Sequence, residues 1–169
     1  MPRHRPLGRG AEHEVYFDAR RNRVVKVTRR SQGANYGFGI SLNNDGMGAT
    51  AGEYLDRLRL HNDIFNDAVR LEWIVPAYDQ TRVVTSQPFI RGEAATPPLI
   101  DAYMERKGFA RIGQGAYYQA DFGLLVHDLY PRNVLVTSAG AVRAIDPAIM
   151  RATPELARHC ARYGTELFE

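Results

Sequence analysis

Polar groups within residues 126–146, VHDLYPRNVLVTSAGAVRAID, fall at intervals that few chain geometries accommodate. An apolar run gives way to His127 and Asp128, and Asn133 follows five residues after the aspartate. Two β-type runs, 134–137 and 142–145, flank the turn residues 138–140, and Asp146 closes the second run. A hairpin returns its far end to its near end, so Asn133 and Asp146 can converge on one point with Asp128 in the loop beside them. Carboxylate and amide oxygens are hard ligands suited to Mg²⁺, which takes one or two protein oxygens and fills its shell with water or nucleotide phosphates.

The rest of the chain reads as alternating strands and helices. Residues 14–18 (EVYFD) and 23–29 (RVVKVTR) are β-rich, with 20–22 suited to a hairpin turn. Residues 31–48 shift to Gly, Asn and Ser, with five glycines, which predicts a loop or insertion. Thr50 followed by Glu53 has the capping-box spacing, and Tyr54, Leu58, His61 and Phe65 then recur on one helical face beside Leu55. Strands are expected at 71–75 and 83–86, joined by the polar turn 78–81. A second helix starts at Thr96 with Pro97 and Pro98 in its first turn and stops at Gly108. Short apolar runs follow at 110–112, 117–119 and 124–126, and 154–163 predicts a last helix on which Cys160 is a small core residue. The order predicts an α+β fold with an N-terminal antiparallel sheet.

Composition bounds the function. At 169 residues the chain fits a single domain, or a small two-lobed one. No run approaches the roughly 18 apolar residues of a membrane helix, and MPRHRPLGRG lacks the apolar core of a secretory signal, so a cytoplasmic protein without membrane partners is expected. One cysteine forms no internal disulfide, and five histidines without HExxH-type spacing argue against a zinc enzyme. Only Lys26 and Lys107 among the 22 cations are lysine. Residues 1–30 hold nine cations against three acids, a net of +6, so the remaining 139 residues carry −3. This N-terminal patch can hold the phosphates of a nucleotide or of a nucleic-acid backbone, or stand as a solvated basic arm.

Taken together, HDLYPRN and the step of thirteen residues from Asn133 to Asp146 resemble the catalytic loop and metal-binding aspartate of the protein kinase-like superfamily. By that resemblance Asp128 would orient or deprotonate an acceptor hydroxyl, and Asn133 and Asp146 would hold Mg²⁺ against the phosphates of ATP. Gly8 and Gly10 before EVYF resemble a glycine-rich loop, where the lack of a Cβ lets backbone amides approach phosphates. Lys26 in VVKV resembles the strand lysine that contacts the α and β phosphates. Its expected partner is Glu53, with Asp56 as fallback, although the capping box alone also explains a glutamate at 53. Residues 83–92 resemble the interlobe segment, where adenine would bond backbone groups near Gln87 to Phe89; Pro88 has no amide hydrogen to donate. The literal Asp121-Phe122-Gly123 precedes Asp128, so it is read as a turn, and Ile145-Asp146-Pro147 takes the metal position. His127 is expected to orient the loop, and His13 to be solvated.

The match covers residues 7–149 and departs in places. A third loop glycine is absent, the loop histidine is one position closer to the aspartate than usual, and Tyr130 stands where Ser/Thr kinases carry a lysine, so Arg132 would have to supply that charge. Only 23 residues follow Asp146, too few for an activation segment and a protein-substrate platform. The chain therefore resembles the minimal kinase-like domains of bacterial and phage polyvalent proteins. What this implies is one compact two-lobed domain with an N-lobe over about 1–87, a hinge at 87–92 and a truncated C-lobe over 93–169. It also implies an Mg-ATP-dependent phosphotransferase acting on a Ser, Thr or Tyr side chain or a small-molecule hydroxyl. The alternatives are a nucleotide-binding pseudokinase and a basic nucleic-acid-binding module.

Overall fold

The computed structural model describes residues 5–10, 12–29, 36, 49–76 and 81–163. The glycine-rich segment 31–48 lies outside them except for Tyr36, whose N–H donates to the Ala49 carbonyl at 2.8 Å. Four residues of the expected 78–81 connection, or its flank, lie outside them as well (77–80). By their contacts the described residues fall into two compact units, one holding the N-terminal strands with 49–62, 66–76 and 81–89, the other 63–65 with 90–163.

In the first unit, strands β1 (Arg5–Arg9), β2 (His13–Asp18), β3 (Arg23–Thr28), β4 (Arg70–Val75) and β5 (Arg82–Pro88) form one antiparallel sheet in the order β1-β2-β3-β5-β4. The β2–β3 turn is made by side-chain chemistry. Asp18 Oδ1 accepts from the amides of Arg20 and Arg21, and Asn22, a residue that tolerates the left-handed region, takes φ 51°. The stretch expected to be only a glycine-rich loop is in part strand β1, which pairs with β2 through a bulge between Pro6 and Gly8.

Helix α1 (Ala51–Phe65) starts at Thr50 with both halves of the capping box formed. Tyr54, Leu60, His61 and Phe65 are buried, whereas Leu55 is 37% exposed, so Leu60 and not Leu55 completes the inner face. The expected solvated state of His13 is overturned: it is buried at the start of β2, and its Nε2 lies 2.8 Å from the Tyr54 hydroxyl. Beside it Arg57 donates to Glu12 at 3.1 Å, so helix and sheet are tied by two polar contacts as well as by apolar burial. A denser set links β3, β4 and β5. Arg23 Nε donates to Ser86 Oγ, Ser86 donates to Glu72, and Arg21 donates to the same Glu72 oxygen.

The second unit adds β6 (Glu93–Ala94), α2 (Pro97–Glu105), β7 (Ala110–Gly113), β8 (Ala116–Gln119), β9 (Leu124–His127), a single 3-10 turn (Pro131–Asn133), β10 (Val134–Val136), β11 (Val142–Ala144), β12 (Ala148–Arg151) and α3 (Pro154–Tyr163). The three short apolar runs become an antiparallel meander, β7-β8-β9, and β12 adds to its free side, pairing Ala148 with His127 and Arg151 with Leu124. The expected hairpin is β10–β11, and β6 extends it to three strands. Asp121 to Gly123 is a turn with φ 59° at Gly123 and Phe122 68% exposed, which leads into β9 as expected. Leu156 and Cys160, one helical turn apart on α3, are buried with Ile112, Ala116, Tyr118 and Leu125, so Cys160 is a core residue. Lys107 donates to the Ile64 carbonyl at 2.7 Å and lies 5.1 Å from the Tyr103 ring, a structural use for the second lysine.

Candidate functional site

Strand β9 ends at His127, and the next residue takes a backbone conformation that costs energy. Asp128 has φ 62°, in the left-handed region where an L side chain is disfavoured and aspartate is among the few residues that enter it. The chain then closes the 3-10 turn, with the Asn133 amide donating to the Tyr130 carbonyl at 2.8 Å, and runs into β10. The Asn133 side chain is buried and points back: its Nδ2 donates to both the carbonyl and the Oδ2 of Asp128, each at 2.8 Å. That use of Nδ2 makes Oδ1 the acceptor atom of the amide. The other carboxylate oxygen of Asp128, Oδ1, accepts from Arg132.

The hairpin does what its spacing predicts at the level of backbone. Val134 faces Ala144, and one residue beyond the ladder the Ile145 amide donates to the Asn133 carbonyl at 2.9 Å. Asp146 is the next residue, half-buried in the bend that turns the chain into β12, and Pro147 behind it is fully buried. Asp128, Asn133 and Asp146 are thus brought to one end of the β10–β11 hairpin. Their donors are hard oxygens, which fit Mg²⁺ and do not fit a softer metal. Among the described residues no group of three or more His, Cys, Asp or Glu side chains is placed to hold a metal. His127 is largely buried. That burial pushes its imidazole pKa below the ordinary value, against a smaller upward pull from Asp128.

Two residues that the spacing does not single out shape this loop. Gly115, in the β7–β8 turn at φ 68°, accepts from the Leu129 amide at 3.1 Å. A Cβ on it would sit 3.2 Å from two atoms of the Tyr130 ring. The Arg132 guanidinium lies over that ring, 4.6 Å from its centroid. A glycine two positions after Gly113 is the local signal for such a turn, while nothing in the spacing pairs it with Tyr130 fifteen residues away.

The first unit holds the remaining candidates. Lys26 sits mid-strand in β3, paired in register with Val15 and Thr85 and half-buried. Gly10 lies in the β1–β2 connection, where its amide donates to the His13 carbonyl at 2.9 Å and so closes the hairpin. A Cβ on Gly8 would meet nothing within 4 Å and one on Gly10 only the His13 carbonyl at 3.8 Å, so the hairpin itself does not require either glycine. Glu53 accepts from the Thr50 amide at 2.7 Å and hydroxyl at 2.9 Å, and Asp56 pairs with Arg59 on the exposed side of α1. Gln87 is buried opposite Val24. The Phe89 amide donates to the Asn22 carbonyl at 3.0 Å and its ring lies 4.8 Å from that of Phe17, so this amide already has a partner within its own unit.

Compared with known families, the chain matches the model for serine/threonine/tyrosine kinases found in polyvalent proteins over residues 3–153. No curated protein matches the chain.

Proposed function

Given that the chain belongs to the serine/threonine/tyrosine kinases found in polyvalent proteins, we propose that it binds ATP with Mg²⁺ and moves the γ-phosphate to a hydroxyl group. The acceptor is a Ser, Thr or Tyr side chain or a small molecule. The single observation that supports the reading is Asp128 at a left-handed backbone position, its carboxylate bonded by Asn133, whose carbonyl accepts from the amide of Ile145, the residue before Asp146. The left-handed backbone at Asp128 and the hydrogen bonds of Asn133 fix how that carboxylate is presented.

In this reading the two units are the N- and C-lobes of one minimal kinase-like domain, with the connection at 87–92. Asp128 accepts the proton of the attacking hydroxyl: the acceptor oxygen bonds to the γ-phosphorus, the bond from phosphorus to the bridging oxygen breaks, and ADP leaves with the electron pair. Asn133 Oδ1 and the Asp146 carboxylate are the groups that would hold Mg²⁺. When bound, that ion neutralises phosphate charge. Lys26 would contact the α and β phosphates with Glu53 as its partner, and Gly8 and Gly10 would leave room for them. Because Gly10 and Phe89 use their amides internally, phosphate and adenine hydrogen bonds fall to neighbouring amides, those near Gly8 and after Phe89. Tyr130 in place of a lysine favours the nucleotide-binding pseudokinase as the competing reading.

The test is thermal melting with and without Mg-ATP. At one hundred times Kd the ligand adds about 2.7 kcal/mol, which for a chain of this size raises the melting temperature by about 5–10 °C. The shift should vanish in Lys26→Ala and Asp146→Ala. Label from γ-labelled ATP should then pass to an acceptor in wild type and not in Asp128→Asn. Binding without transfer identifies the pseudokinase. No shift, together with salt-sensitive DNA or RNA binding, replaces both readings with the basic module.

A further inference from the structure

The five-stranded sheet has two edges, and the sequence treats them differently. Strand β1 carries a proline, a glycine, a bulge and two arginines, features that keep an edge from pairing. Strand β4, RLEWIV, holds no proline, glycine or lysine, and among the described residues no strand pairs on its outer side. Its main chain is open there. The Val83 amide donates to Thr28 Oγ1 at 2.9 Å, toward β3, so Val83 and its β4 neighbour Ile74 form a non-hydrogen-bonded pair. The amide and carbonyl of Ile74 therefore face outward. Around them Leu71, Trp73, Ile74 and Val75 are 46–60% exposed, while Glu72, the one acid of the strand, accepts from Arg21 and Ser86. An open ladder flanked by apolar side chains is a template for another extended chain.

Charge selects among such chains. Arg70 opens β4 and is exposed, near enough for its charge to act on Arg23, and Arg82 stands opposite Val75 at the other end. With Glu72 engaged by Arg21, both ends of this edge are cationic. A second copy of the chain, paired antiparallel, would bring Arg70 of each toward the Arg82 end of the other, like charge against like. We propose that β4 takes an extended peptide segment as a sixth strand, apolar in its middle and acidic at both ends, through main-chain hydrogen bonds at Ile74 and side-chain contacts with Trp73.

The experiment titrates the peptide acetyl-EVTVTVE-amide into the full chain and follows the emission of Trp73, the sole tryptophan. A saturable blue shift is expected, with Kd of about 100 µM for so small an interface. The same peptide N-methylated at its valines and threonines lacks ladder donors and should not bind. The peptide acetyl-KVTVTVK-amide should bind about tenfold more weakly or worse. Arg70→Glu combined with Arg82→Glu should reverse the preference between the two charged peptides while far-UV circular dichroism stays that of wild type. Ile74→Pro removes the outward donor and spares the ladder to β5, so it should abolish the shift; if that variant does not fold, the charge reversal alone decides. No shift at about 1 mM peptide, equal binding of the methylated peptide, or indifference to the end charges overturns the proposal. So does a free chain whose Trp73 emission is already blue and moves red on dilution as sedimentation reports a dimer dissociating, which makes a second copy the occupant.

Discussion

Asp128 is the residue where local energetics and proposed chemistry pull apart. Its φ of 62° suits Asn as well as Asp, and Asn can keep the hydrogen bonds from Asn133. Asp128→Asn should therefore melt with wild type, within about 0.5 kcal/mol, while Asp128→Val, β-branched at positive φ, should lose about 2 kcal/mol. Urea denaturation of the two variants checks this, and equal losses would remove strain as a property of the site. A second polar centre is purely structural. The hydrogen bond from Arg21, aided by Ser86, holds the Glu72 carboxyl below its ordinary range, against burial that pushes it up. A depressed carboxylate stabilises the fold above the unfolded-state value, about 4.3, and that contribution is lost as pH falls through the folded value. The stability gap between wild type and Glu72→Gln should accordingly be constant above about pH 5.5 and shrink toward pH 3; urea midpoints at stepped pH that keep a constant gap would contradict it. The arginines, Glu72 and Ser86 come from three separate segments of the chain, so composition and spacing are silent about it.

Secondary-structure elements divide by length in how well they can be read. Helices α1 and α3 and the hairpin strands announce themselves through a capping box, an i,i+4 apolar pair and turn glycines, all within a few residues. Strand β6 has two residues and β12 four, too few to show a period, and each exists because a ladder was open: β6 on the free side of β10, β12 on that of β9. Strand β1 was hidden because its proline, glycine and bulge break the alternation that marks a strand. Glu53 belongs at this scale because its two roles separate by substitution. Gln keeps the capping geometry and drops the charge, so Glu53→Gln should leave the melt within about 0.5 kcal/mol of wild type, while Thr50→Ala costs about 1 kcal/mol. If Glu53 also pairs with Lys26, the same Glu53→Gln variant should bind ATP about tenfold more weakly by calorimetry; unchanged affinity would leave it a cap alone.

For the whole molecule, the described helices include none long and apolar enough to cross a membrane. The first sheet ends in β4, whose Leu71, Trp73, Ile74 and Val75 are all about half exposed or more. Trp73 is the sole tryptophan of the sequence and is 60% accessible, so native emission should already resemble that of a tryptophan in water. Unfolding in urea should then move the emission maximum little while far-UV circular dichroism reports the full transition; a large red shift would mean that Trp73 is covered. The kinase-family pattern, the start of α1 at Thr50 and the backbone meeting of Asn133 with the residue before Asp146 are legible in the sequence alone. Each of these is a short-range regularity, fixed by turn chemistry, helical period or hairpin closure within about twenty residues. Tertiary packing sets which groups meet: His13 with Tyr54, Ser86 between Arg23 and Glu72, and Tyr130 with both Gly115 and Arg132. Those contacts are set by how separate segments pack, and packing depends on shape and burial summed over the fold rather than on any spacing along the chain.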